Sequence, residues 1–155
     1  MKVFRIGRSK YAGDLSGEGA KLFGGRWNHK SVPCIYTSES RALALLEYTV
    51  NINIDDIPRA LSITTFEFSL SEIKIVERAD LPGDWQDAPA PSSTKDFGTA
   101  FLRNLTHAVL KIPSCVMADE FNYLLNPIHR ESKHFKILEI KDFVYDVRIK
   151  MNLGA

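Results

Sequence analysis

The side chains best suited to chemistry in this 155-residue chain are an arginine behind two glycines and a glutamate on the edge of a helix. Arg26 and Trp27 follow Gly24-Gly25 in the stretch GGRWN, where paired glycines let the backbone reach positive φ and approach a neighbour closely. Such a turn aims the side chains that follow it, and a guanidinium so aimed is a planar fork for a phosphate or a carboxylate. Glu47 lies in the run ESRALALLEYTVNI, whose helical spacing gathers Ala42, Leu43, Leu45, Leu46 and Val50 on one apolar face, with Glu47 beside Leu43 at its edge. A carboxylate there is costly to desolvate unless donors or a cation meet it. On these residues alone two readings stay open. Glu47 is turned to solvent or held in a structural ion pair, or it faces a cleft that the GGRWN turn also lines.

The charge pattern bears on that choice. The net charge is +1, but residues 1–31 carry seven Lys/Arg against Asp14 and Glu18, a net of +5, which leaves −4 for the rest. Six of the nine glycines lie in the same basic stretch, favouring a local anion site over a broad polyanion-binding face. Nucleic-acid binding through this segment is a weaker alternative, because the overall charge is near zero. Several other chemistries fail on spacing. Gly17-Glu-Gly19-Ala-Lys-Leu22 lacks the third glycine of a dinucleotide fingerprint, no phosphate-binding G-x-x-x-x-G-K-[ST] occurs, and the four His and two Cys never reach zinc-site spacing, so no metal is expected. Ser114 has no nucleophile elbow around it. Cys34 and Cys115, each beside apolar residues, read as core thiols.

These residues need elements to hold them. At 45% hydrophobic, the chain suits one domain, residues 1–155. No apolar run is long enough to span a membrane and the N-terminus lacks a secretory segment, so a cytoplasmic location is expected. Strands are expected at Lys2–Gly7, Pro33–Thr37, 61–70, 73–78, His107–Ile112 and, after the Pro113-Ser114 break, Cys115–Met117. Helices are expected from a Ser38 cap to Ile52 and over Ser93–Leu105, with 8–31 as loop. FNYLLNP (121–127) reads as a helical turn stopped before Pro127, and Phe135–Ile140 and Phe143–Ile149 as two strands flanking a Lys-Asp turn. The proline-rich loop 82–93 offers Trp85 as an exposed interface aromatic. The sum is a mixed α/β (α+β), β-rich domain without regular βαβ alternation.

Several blocks resemble one known family. GEGA at 17–20, GGRWN at 24–28, Tyr36 in CIYTS, ALALLE at 42–47, PSCV at 113–116 and EFNYLLNPIH at 120–129 look like the RES domain, named for its Arg, Glu and Ser. The blocks come in the family's order and span nearly the whole chain; Arg130 departs from the proline many relatives have there. The resemblance implies a toxin of a bacterial toxin-antitoxin pair, a fold similar to that of ADP-ribosyltransferase toxins, and NAD+ as substrate with no further cofactor. It makes Arg26, Glu47 and Ser114 the family's Arg, Glu and Ser, and adds Tyr36 and Arg5, in VFRI, as pocket residues.

The chemistry this implies is cleavage of NAD+ at the nicotinamide–ribose bond. Arg26, Glu47 and Tyr36 are the catalytic candidates, and Arg5, Arg26, Tyr36 and Ser114 the ligand-binding ones. Water, phosphate or a protein side chain would each serve as acceptor, giving a glycohydrolase, a phosphorylase or an ADP-ribosyltransferase. A non-catalytic nucleotide-binding module is the rival from another class. The partners implied are an Xre-type antitoxin covering the active site and a second copy in a homodimer, with no direct nucleic-acid or membrane contact. Trp27 is expected as a packing anchor.

Overall fold

In a computed structural model, which describes residues 1–69, 71 and 73–151, the chain forms one seven-stranded sheet with helices packed on it. The strands are β1 (Lys2–Arg8), β2 (Ile35–Ser38), β3 (Leu61–Glu67), β4 (Ile73–Ile75), β5 (Val109–Pro113), β6 (Phe121–Leu125) and β7 (Lys136–Phe143). Their order is β4-β5-β6-β2-β1-β3-β7, antiparallel throughout except for the β4–β5 pair. The helices are α1 (Glu18–Phe23), α2 (Arg41–Val50), α3 (Ser92–Asn104) and α4 (Arg148–Met151).

Side-chain alternation along the strands divides the core. Leu110, Ile112, Leu124 and Cys34 turn to a cluster with Trp27, Trp85, Phe101 and Leu102. Val109, Tyr123, Leu125 and Ile35 turn to one with Val3, Phe66, Phe68 and Phe135. Burying each of the larger aliphatic and aromatic side chains contributes about 1.5–3 kcal/mol before conformational entropy is set against it.

The sheet has one irregularity at its centre. β1 pairs with β3 along its whole length, Lys2↔Glu67 to Arg8↔Leu61, but with β2 through the single pair Phe4↔Ser38. The two central strands therefore splay apart beyond that pair, and a cleft of about 260 Å³ lies between Arg5, Gly7 and Arg8 on one side and Cys34 and Tyr36 on the other.

Several sequence expectations are corrected. Residues 121–125 are a central strand, not a helical turn: FNYLL is hydrogen-bonded to β5 on one side and β2 on the other, which outweighs the stop signal of the following Asn-Pro. Lys136–Phe143 is one continuous strand through the Lys-Asp pair, paired with β3, and Arg148–Met151 forms α4 where the second strand was expected to end. Cys115–Met117 does not resume β5. Residues 18–23 form α1 inside the expected loop. Ser40, not Ser38, caps α2, accepting the Leu43 N–H at 3.0 Å. The buried residues of α2 are Leu43, Ala44 and Thr49, whereas Ala42 and Val50 are exposed. Trp85 is 8% exposed and belongs to the core, because the proline loop folds back onto α3 and β5. The expected strand 61–70 ends at Glu67 as described, and Leu70 lies outside the described residues. Trp27 is the packing anchor expected, with its ring edge-on to Phe97 at 6.0 Å.

Candidate active site

Glu47 projects from the second turn of α2, a helix that packs across β1 and β2. Glu47 is half-buried, and neutral side chains rather than an arginine bond to it. The Ser114 hydroxyl donates to its Oε1 at 2.8 Å and the Asn122 amide Nδ2 donates to the same oxygen at 2.6 Å. Among the described residues Oε2 accepts no hydrogen bond and the carboxylate forms no ion pair. Neutral donors thus fix its orientation and leave its charge uncompensated at close range.

The direction of both bonds is set by the surroundings. Ser114 Oγ accepts the backbone N–H groups of Val116 and Met117, both at 3.1 Å, so its single proton is committed to Glu47. Ser114 sits where β5 ends at Pro113, its own N–H tied to the Glu120 carbonyl at 2.8 Å. Ser114 is thus a buried donor to Glu47.

The GGRWN turn is built to place Arg26. Gly24 has φ 71, and a Cβ on Gly25 would lie 2.6 Å from the Tyr36 hydroxyl oxygen, so only glycine admits both the turn and the tyrosine. Gly25 and Asn28 close the turn as a bridge. Asn28, fully buried, donates Nδ2 to the carbonyls of Ala20, His29 and Val32, which leaves its Oδ1 to accept from Tyr36 at 2.6 Å. Tyr36 Oη in turn accepts the Trp27 N–H at 3.0 Å. Burial holds the phenol well above its ordinary pKa, with Arg26 pulling the other way. Arg26 itself donates from Nη1 to the carbonyls of Trp85 (3.0 Å) and Asp87 (2.8 Å), so the proline loop steadies its guanidinium.

Four of the five residues expected in the site fall into two groups, and Arg26 stands apart from both. Arg5 and Tyr36 line the cleft between β1 and β2, with Leu22 and Phe23 of α1 at its rim. Arg5 is anchored there: its Nη2 donates to the carbonyls of Tyr11 (3.0 Å) and Ala12 (3.4 Å), and its guanidinium lies 5.0 Å above the Phe66 ring. Burial lowers its pKa, and Asp14 partly restores it. Glu47 and Ser114 form the second group, and neither they nor Arg26 line that cleft. Arg26 and Glu47 share an influence on Cys115. Burial raises its thiol pKa, Arg26 lowers it and Glu47 raises it, so both charges act on one sulfur.

Two residues on which this arrangement rests went unnoticed in the sequence. Asn28 was legible only as the last letter of GGRWN, and Asn122 was hidden in a stretch read as helical.

Comparison with known proteins follows the same lines. A model of the RES domain matches residues 2–146. The "Prs ADP-ribosylating toxin" of Sphingobium sp. is 34% identical over 145 residues, covering 92% of this chain and 90% of that protein. The "Toxin Res" of Yersinia enterocolitica is 34% identical over 152 residues, 97% of this chain and 100% of that one. In the crystal structure of the M. tuberculosis MbcT-MbcA toxin-antitoxin complex, one chain superposes with a TM-score of 0.72 at 18% identity, over 92% of this chain and 84% of its own length. That likeness extends to the fold. Among the described residues, no helix is long and apolar enough to cross a membrane.

Proposed function

The chain belongs to the RES domain family, and on that premise we propose that it is a toxin that cleaves NAD+ at the nicotinamide–ribose bond. The observation that carries this reading is Glu47, an acid oriented by Ser114 and Asn122 without a cation to neutralise it. In NAD+ the leaving ring already bears a positive charge. Heterolysis of the C1′–N bond gives both electrons to nicotinamide, which departs neutral, so no general acid is required. Hydrolysis of an ordinary glycoside needs a second carboxyl to protonate its leaving oxygen. What this reaction needs is a negative charge facing the oxocarbenium-like ribose, and Glu47 is assigned that role. An arginine bound to the same carboxylate would cancel the field on which this stabilisation depends.

In this scheme Arg5 and Arg26 supply counter-charge to the pyrophosphate, Tyr36 presents its ring face to the nicotinamide end, and Ser114 holds the acid. Water or phosphate as acceptor would deplete NAD+. Transfer to a protein is the second reading, favoured by the name of the Sphingobium relative, an ADP-ribosylating toxin. An Xre-type antitoxin would cover the site, and the exposed Leu22 and Phe23 at the cleft rim are what such a segment would bury.

The test is to incubate the purified protein with NAD+, with and without phosphate, and identify the products. ADP-ribose, or ADP-ribose 1″-phosphate formed only with phosphate, names the acceptor. No nicotinamide release in either buffer, together with unchanged ligand affinity in Glu47→Gln, would point to a non-catalytic binding module.

A further inference from the structure

Resting on the reading that Glu47 acts on the ribose of NAD+, we propose that Asn122 is a positioning residue for that carboxylate, holding Oε1 so that Oε2 is the oxygen presented to the substrate. Asn122 and Ser38 are direct cross-strand neighbours in the β2–β6 register, so their side chains meet on one face of the sheet. The Ser38 hydroxyl donates to Asn122 Oδ1 at 2.7 Å. That bond leaves Nδ2 pointing at Glu47, 2.6 Å from Oε1. The flipped amide would set an oxygen against the carboxylate, two acceptors with no proton between them, so the charge of Glu47 selects this rotamer and the Ser38 hydroxyl, able to donate or accept, follows it.

Ser114 reaches Oε1 from the loop after β5 and Asn122 reaches it from β6. With two donors from separate elements on one oxygen, the carboxylate cannot turn about its terminal bond without breaking both. The other ionisable groups around it are the Cys115 thiol, whose titration senses Glu47, and Arg26, which acts on that same thiol. Glu39, the nearby acid of the β2–α2 connection, is engaged with the Phe121 N–H at 3.1 Å. A single-residue slip of β6 would turn Asn122 to the opposite face, so the strand register itself places the donor.

The experiment compares wild type, Glu47→Gln, Asn122→Ala and Asn122→Asp by nicotinamide release across pH and by the 13C resonance of the Glu47 carboxyl. Asn122→Ala is expected to lower kcat about 10- to 100-fold with KM changed less than about threefold, the pattern of an interaction that matters in the transition state. Asn122→Asp is the sharper variant. A carboxyl introduced beside Glu47 has its pKa raised by the like charge; while protonated it donates to Oε1 as the amide did, and once ionised it repels. Its activity should therefore persist at acidic pH and fall as pH rises, along a limb wild type lacks, and the Glu47 resonance should gain a second titration step. A merely structural asparagine would give a profile parallel to wild type and a single step, and that result overturns the proposal. If wild type releases no nicotinamide, the NAD+ reading fails, and the Glu47 resonance still decides whether Asn122 governs this carboxylate.

Discussion

Gly98 and Trp27 meet backbone to backbone: a Cβ on Gly98 would lie 1.9 Å from the Trp27 carbonyl oxygen. Helix α3 thus passes directly over the turn that carries Arg26, and Thr99 accepts the His29 N–H at 3.0 Å beside it. In an ordinary helix interior, glycine to alanine gains up to about 1 kcal/mol. Here the sign reverses. Gly98→Ala is expected to cost about 1–3 kcal/mol or more in urea unfolding, because backbone must move to admit the methyl. A variant as stable as wild type would contradict this packing.

Glu47→Gln keeps the shape of the side chain and removes its charge. If the carboxylate stabilises a cationic ribose, nicotinamide release should drop about 10²- to 10³-fold while the melting temperature changes by no more than a few degrees. Ser114→Ala should behave differently. It removes the donor to Glu47 and also leaves the Val116 and Met117 N–H groups without their acceptor, so about 1–3 kcal/mol of stability goes with the activity. Calorimetry alongside the assay separates the two.

Cys115 offers a probe of the site that does not depend on turnover. Only the thiolate reacts with alkylating reagents, and burial holds the Cys115 thiol above the ordinary cysteine value. Modification by iodoacetamide should therefore be slow at neutral pH and accelerate as pH rises through that elevated value. NAD+ seated between Arg26 and Glu47 should slow it further. Cys34, fully buried and shifted much higher, should stay unmodified while the fold is intact. Mass spectrometry of the two cysteine peptides, with and without NAD+, reads out all three expectations.

Tyr145 and Lys150 bear on α2 from the other end. Tyr145 Oη and Thr49 Oγ1 share a hydrogen bond of 2.8 Å, and Lys150 Nζ donates to the carbonyls of Thr49 and Ile52. Tyr145→Phe should cost about 1 kcal/mol, measured as a lower urea midpoint at unchanged slope.

Much of this geometry was legible in the sequence, and the rest was hidden for identifiable reasons. Helix α2 announced itself through apolar periodicity, although its cap is Ser40 and not the expected Ser38, and that periodicity put Glu47 at the boundary between core and surface. The double glycine marked a turn built for close approach, and Gly25 does admit Tyr36. What misled was local chemistry overruled by distant partners. FNYLL ends in Asn-Pro and reads as a stopped helical turn, yet pairing with strands on both sides makes it a strand, and only a strand sets Asn122 opposite Ser38. Trp85, among prolines, reads as a surface aromatic, but its neighbours are Leu102 and Leu110, supplied by elements that follow it in the chain. Such long-range contacts leave no mark on the local pattern.

The fork between the two central strands has a mechanical consequence. In strand pairing, one leaf of the sheet, β4-β5-β6-β2, meets the other, β1-β3-β7, only at Phe4 and Ser38, while α2 and the core around Val3 and Ile35 span both. A molecule seated in the gap would be gripped by Arg5 on one leaf and Tyr36 on the other, supplying rungs that the backbone ladder omits. Occupancy would then stiffen the whole sheet, and a domain this small would clamp a two-ended ligand with no separate lid.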